Sequence, residues 1–162
     1  MSTDTTEKKN IVTAEPGSFE IRTERAFDAP RELVYRAFTD PELVTRWWGP
    51  DALSTVVETL EARAGGNWRF VHTDGDGTEY GFHGVFHQVT PGERIVQTFE
   101  FEGMPGHIAL ETLTLTEENG KTTVSGSSIY QSVQDRDGMV ASGMEGGWSQ
   151  SMDKLEALLG SL

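Results

Sequence analysis

Between Leu53 and Gln131 the chain reads as six consecutive segments rich in Val, Thr, Phe and Tyr: "LSTVVETLEAR", "NWRFVHT", "EYGFHGVFHQV", "RIVQTFEFE", "IALETLTLT" and "KTTVSGSSIYQ". They are parted by Gly65-Gly66, "DGDG", "TPGE", "GMPG" and "EENG", residues that supply tight turns between antiparallel strands. A further stretch, "FEIRTERAF", alternates Phe19, Ile21, Thr23 and Arg25 against Glu20, Arg22, Glu24 and Ala26, and is a plausible first strand. The pattern therefore predicts seven antiparallel strands.

Helical spacing appears only at the two flanks of that run. In "DAPRELVYRAF" Asp28 is placed to cap a short helix with Pro30 in its first turn and Leu33, Val34, Ala37 and Phe38 on one stripe. Asp40-Pro41 opens a second, carrying Leu43, Val44, Trp47 and Trp48 until Gly49-Pro50 stops it. After Ser132 the period returns to that of a helix, with Val140, Met144, Trp148, Ser151, Met152, Leu155, Leu158 and Leu159 on one face. Gly138, Gly143, Gly146 and Gly147 fall in the first half of this helix, each costing up to about 1 kcal/mol relative to Ala, so a kink is expected there. Glycines on the inner face would thin the helix and leave volume beside Met144 and Trp148. A sheet bent around such a helix keeps a space between the two layers.

The 162 residues suit one domain, here 18–162. Residues 1–17 have no apolar period, end in Pro16-Gly17, and are expected to be a disordered tail. A formal charge of -13 repels phosphate backbones and anionic headgroups, so neither nucleic acid nor membrane insertion is expected. With no cysteine there is no disulfide, thiolate metal site or Cys nucleophile. No apolar run reaches the length of a signal peptide core or a membrane span, and a cytoplasmic location is expected.

The stretches "AFDAPRELVYRAFTDPELVTRWWGP", "GGNWRF", "GVFHQVTPGERIVQTFEF" and "GMEGGWSQSMDKLEALL" carry a family resemblance in order and spacing. Over residues 18 to 160 the chain resembles single-domain proteins related to the C-terminal domain of the activator of the chaperone Hsp90's ATPase. These belong to the START/Bet v 1-like, or SRPBCC, polyketide cyclase-like superfamily. The resemblance implies an α+β helix-grip fold: a seven-stranded antiparallel curved sheet, two short helices and a long C-terminal helix enclosing an apolar cavity. The superfamily includes lipid and polyketide binders, aromatase/cyclases and a co-chaperone domain, so the fold fixes neither ligand nor reaction. Hsp90 itself is not an expected partner, because the chain has no room for the separate N-terminal domain of the activating form. A monomer or weak dimer is expected.

Side chains that carry chemistry are sparse. His83 and His87 lie four apart on one strand and share a face, about 13 Å apart at roughly 3.3 Å per residue, too far for one metal ion or proton relay. They read as two independent sheet histidines. His72 and His107 sit near strand ends, where contact with solvent is ordinary, and Glu79, Glu100 and Glu111 are expected on solvated faces. No metal site, nucleotide loop, cofactor or G-x-S-x-G elbow is expected. The catalytic candidates that remain are His83, His87 and Tyr130.

Aromatic residues are the positive signal. Trp68 and Phe70 share one face of a strand, Tyr80, Phe82 and Phe86 one face of the next, and Phe99 and Phe101 one face of the following. Such a surface serves as packed core or as the wall of a cavity, and Trp47, Trp48, Met104, Met144, Trp148 and Met152 extend it. Three functions compete on this basis: a binder of a small hydrophobic, aromatic or polyketide-like molecule; a cyclase or dehydratase; and a protein-interaction module. In "TRWWGP" adjacent helical residues point about 100° apart, so the rings cannot form one platform. One should lock the helix to the sheet and its neighbour should face the cavity, with Trp48 expected as the more buried.

Overall fold

A computed structural model describes residues 10–162. Eight strands form one antiparallel sheet: β1 (Asn10–Thr13), β2 (Glu20–Phe27), β3 (Ser54–Leu60), β4 (Asn67–Thr73), β5 (Glu79–Thr90), β6 (Arg94–Phe101), β7 (Ile108–Glu118) and β8 (Lys121–Ile129). Their spatial order is β1-β2-β8-β7-β6-β5-β4-β3, so the chain leaves β2, passes through two helices, and returns across the sheet by successive hairpins until β8 pairs with β2. The helices are α1 (Arg31–Thr39), α2 (Pro41–Trp47), α3 (Val133–Ala141) and α4 (Met144–Ser161). This is the expected curved-sheet helix-grip architecture, with eight strands where the pattern gave seven. The extra strand, β1, comes from the polar stretch read as tail: Asn10–Thr13 pairs antiparallel with Thr13 opposite Arg22 and Asn10 opposite Arg25. The first nine residues of that stretch lie outside the described residues.

Local chemistry explains the helix ends and corrects two expectations. Asp40 caps α2, its Oδ1 accepting from the Glu42 amide at 3.0 Å. Asp28 does not cap α1: Pro30 occupies that position in an extended conformation with no side-chain bond, and its carbonyl accepts from Leu33 and Val34. The single C-terminal helix is two. Gly143 sits in the left-handed region (φ 87°), closing α3 and opening α4, and the helical phase resets, which leaves Val140 exposed instead of on the buried face.

The packed core lies under α1, α2 and the second half of α4. Leu155, Met152, Leu158 and Leu159 meet Val34 and Ala37 of α1, Leu43 and Trp47 of α2, and Phe27, Leu115 and Val124 of the sheet. Arg25 points inward on β2 and is 1% exposed. It donates to Asn10 and Asp153, pairs with Glu156, and lies over the Phe27 ring, so strands β1 and β2 are tied to α4 by charge as well as by packing.

Candidate functional site: a two-chambered aromatic cavity

Toward the other end of α4 the layers separate. The space between sheet and helices forms an outer chamber of about 950 Å³ and an inner one of about 380 Å³. His72, Phe82, Phe99, Tyr130 and Met139 line both, so the two are contiguous.

Strand pairing aims the aromatic residues into this space. Trp68 crosses over Gly84 on the neighbouring strand and donates from Nε1 to the Thr98 carbonyl at 3.1 Å. A Cβ at Gly84 would stand 2.5 Å from that Nε1 and 1.9 Å from the Thr98 oxygen, so only glycine admits the indole. Phe82, paired with Phe101, stacks on it at 5.1 Å between centroids and touches Phe99 at 5.7 Å. The two tryptophans of α2 divide their work in the reverse of the expected way. Trp47, 3% exposed, is the lock: its Nε1 donates to the Ala37 carbonyl at 2.9 Å and its ring meets Phe38 edge-on. Trp48 leaves the helix in an extended conformation, which swings its ring away to meet Phe70 at 4.9 Å, His72 at 4.8 Å and Phe82 at 5.4 Å.

All thirteen apolar residues singled out from the sequence border this space. Tyr80, Phe101 and the exposed Met104 border the outer chamber. Trp47, Trp48, Trp68, Phe70 and Phe86 border the inner one from α2 and the sheet, and Met144, Trp148 and Met152 from α4. Phe82 and Phe99 border both. Tyr130 also faces both chambers, where burial and the neighbouring Glu111 push its hydroxyl pKa up. His83 and His87 do not. They point to the outer face of the sheet, where His83 lies 2.8 Å from Glu102 and 3.3 Å from Glu100, and His87 is solvent-exposed next to a register shift in β5. Strand parity sends Phe82, Gly84 and Phe86 inward and these histidines out, which removes them from any chemistry in the cavity.

Two polar groups inside were not expected there. His72 is 4% exposed rather than solvated, because it follows Trp68 and Phe70 on the inner face of β4. Burial, helped by Lys154, lowers its pKa to about 4, so the ring is neutral near pH 7. Its Nε2 has no hydrogen-bond partner and lies against Gly49, where a Cβ would come within 2.5 Å. That contact and a φ of 103° make Gly49 a position for glycine alone. Glu111 faces the inner chamber, not solvent, on a row running Phe86, Gln97, Glu111, Ser128, Ile21 across five strands. Gln97 donates to one of its oxygens at 3.4 Å and Ser128 to the other at 3.3 Å. Removal from bulk water outweighs both bonds and raises its pKa to about 7. His107 is exposed, as expected near a strand end; it borders the mouth of the outer chamber, its Nδ1 3.0 Å from both carboxylate oxygens of Asp135, and so joins the β6–β7 loop to the first turn of α3.

Parity with Trp68 and Phe70 is a signal that marks His72 in the sequence. Parity with Leu113 and Leu115 marks Glu111 in the same way. Among the described residues no three His, Asp or Glu side chains come together to hold a metal ion, and no helix is long and apolar enough to cross a membrane.

Comparison with known proteins agrees with this architecture. The family model described as activator of Hsp90 ATPase homolog 1-like protein matches residues 28–160. A crystal structure of a Chromobacterium violaceum protein is similar at 30% identity, with a TM-score of 0.78 over 87% of this chain and 96% of that one. One from Rhodobacter sphaeroides is 25% identical, with a TM-score of 0.86 over 94% of this chain and 100% of the other. DynU16, a protein of the dynemicin biosynthetic locus, shares the fold at 21% identity and a TM-score of 0.68, over 88% of this chain and 48% of its own. No curated protein matches the chain.

Proposed function

The chain belongs to the family of activator of Hsp90 ATPase homolog 1-like proteins, and from that premise we propose that it binds a small hydrophobic molecule, aromatic or polyketide-like, between its sheet and its C-terminal helices. What carries this reading is the pair of contiguous chambers walled by aromatic rings, with only a few polar groups converging on the inner one. A space of this size beside a packed core costs the protein dispersion contacts that a ligand would restore. The fold it shares with a protein of a biosynthetic locus is in keeping with such a ligand. Sequestration, transport, sensing and self-protection all need only this binding step.

The test is a panel of flavonoids, polyketides and lipids added to isotopically labelled protein. Saturable shifts at the Trp48, Trp68 and Trp148 indoles, together with a raised melting temperature, are expected. Their absence throughout the panel overturns the proposal.

A second reading, a cyclase- or dehydratase-type enzyme, is favoured by one observation: Glu111 and Tyr130 face the same chamber, with the carboxyl pKa close to neutrality. For that reading, Tyr130→Phe and Glu111→Gln abolish turnover of a bound substrate without abolishing its binding. Full turnover in both variants excludes it.

A further inference from the structure

The polar groups of the two chambers are unequal in sign. Glu111, Asp74 and Asp135 line them, whereas no Lys or Arg does among the described residues. Two of the three carboxyls border the outer chamber, and Glu111 alone borders the inner one. Asp135 faces His107, and Asp74 accepts from the Tyr80 hydroxyl and from the amides of Asp76 and Thr78. The interior arginines are committed elsewhere, Arg25 to Asp153 and Glu156, Arg136 to Asp137 and the Glu20 carbonyl. Glu111 stands apart. Each of its oxygens accepts one neutral donor, and no positive charge lines the chamber to balance its ionised form.

Bordering the inner chamber with it are Gln97 on β6, Ser128 on β8, Tyr130 just beyond that strand and, from the helices, Met139, Met144 and Trp148. None of these brings a positive charge. His72, which also borders this chamber, is neutral near pH 7. The remaining wall is aromatic, with Trp48, Trp68, Phe82 and Phe99 in mutual contact, and such rings attract cations and tolerate apolar bulk alike.

Building on the reading of the chambers as a ligand site, we infer that the ligand carries a basic nitrogen, whose protonated form pairs with Glu111 while its hydrophobic body lies among the rings. An anionic molecule would bring a second negative charge beside Glu111 with nothing to offset it. A neutral one would leave the ionised form of the carboxyl without a counter-charge. A protonated amine completes the ion pair that the protein leaves half-built, and the overall charge of -13 concentrates cations at the surface before they enter.

The experiment uses three probes on one ring system, naphthylmethylamine, naphthylmethanol and naphthoate, titrated into the whole protein at neutral pH by calorimetry. The amine should bind at least about tenfold tighter than the alcohol, and the naphthoate weakest. Glu111→Gln should bring amine and alcohol to within about threefold of each other. In the wild-type protein, with carbon-labelled glutamate, saturation by the amine should lower the titration midpoint of the Glu111 carboxyl by about one unit, the linked counterpart of a tenfold preference. Equal binding of amine and alcohol, or a midpoint that does not move, overturns the basic-nitrogen inference and leaves the hydrophobic site standing. If none of the three probes binds, both fall.

Discussion

The two ends of α4 face the same sheet and do opposite things. The second half carries Met152, Leu155, Leu158 and Leu159, which pack against α1, α2 and the sheet, with Met152 at the border of the inner chamber. The first half, with α3 before it, carries Gly138, Gly143, Gly146 and Gly147, and the sheet opposite is left facing open volume. Gly138 borders the outer chamber with nothing within 4 Å of where a Cβ would be. The helices thus grip at one end and hold the walls apart at the other, by side-chain volume together with the left-handed break at Gly143. A container of this kind needs its packed end to stay rigid while its open end stays empty.

The largest effect should come from the packed end. Leu155 is fully buried among α1, α2 and the sheet, and Leu155→Ala should cost about 2–5 kcal/mol in urea unfolding, with ligand-site residues unperturbed in the folded protein. A loss below about 1 kcal/mol would mean that this end collapses as readily as the other is left open, and the contrast would dissolve.

The next effect separates two groups of the cavity by pH. The His72 pKa is about 4 in the folded protein against 6.5 for the free side chain, so its contribution is complete above pH 6.5 and is lost as pH falls toward 4. Glu111 runs the other way: its pKa is raised from 4.5 to about 7, so its contribution is complete below pH 4.5 and is lost as pH rises through 7. In the wild-type protein the two slopes oppose each other between pH 4.5 and 6.5. His72→Phe should therefore gain stability as pH drops across that window, and Glu111→Gln should lose it, as read from urea midpoints at several pH values. Further into acid both variants lose stability, because the Glu102 carboxyl, held at about 2 chiefly by its hydrogen bonds to Arg69, becomes protonated. Parallel slopes in the two variants would show that neither burial is felt.

These two residues also show where the sequence is legible and where it is not. Element order was readable because alternation, turn residues and helical spacing are local signals, and the aromatic pairs fell on the inner face because parity holds along a strand. β1 escaped because four residues in a polar stretch form a strand only by pairing with β2. The glycines before Trp148 point to a kink but not to a full break at Gly143, because a left-handed residue between two helical stretches leaves the apolar spacing looking continuous. In β7 the binary pattern misleads outright, since Leu110 faces solvent at 46% exposure while Glu111 faces the cavity. A rule that sends polar side chains outward presumes that the inside is a core. Here the inside is a site, and burial alone does not decide what it holds. The tryptophan pair was misjudged for a related reason, because helical geometry was extended one residue too far: Trp48 already has extended backbone and takes its direction from the strand that follows.

A smaller effect probes the open end directly. Gly138→Ala should stabilise the protein by up to about 1 kcal/mol, since the position is helical and the space is free. Gly138→Leu should keep most of that gain and reduce ligand binding by occupying the outer chamber, measured by calorimetry against the probe that binds the wild-type protein best. If Gly138→Leu unfolds the protein, the space is not open there. If binding is unchanged, the ligand lies wholly within the inner chamber.

The smallest effect is expected across the sheet, where the contrast between faces is sharpest. His83 lies beside Glu100 and Glu102 on the outer surface, with Arg69 bridging Glu102 and Glu58, and these partners remain half in water. Exposed ion pairs contribute about 0.2–1 kcal/mol, and when the imidazole is removed Arg69 still pairs with Glu102 and the Gly106 amide still donates to Glu100. His83→Ala should thus shift stability by no more than about 0.5 kcal/mol and leave every probe's affinity unchanged. One strand would then carry, on residues 82 and 83, a side chain on which binding depends and one to which it is indifferent. A change of affinity in His83→Ala would mean that the outer face communicates with the cavity through the sheet, and through Gly84 above all. There the strand has no side chain of its own and the Trp68 indole lies directly on its backbone.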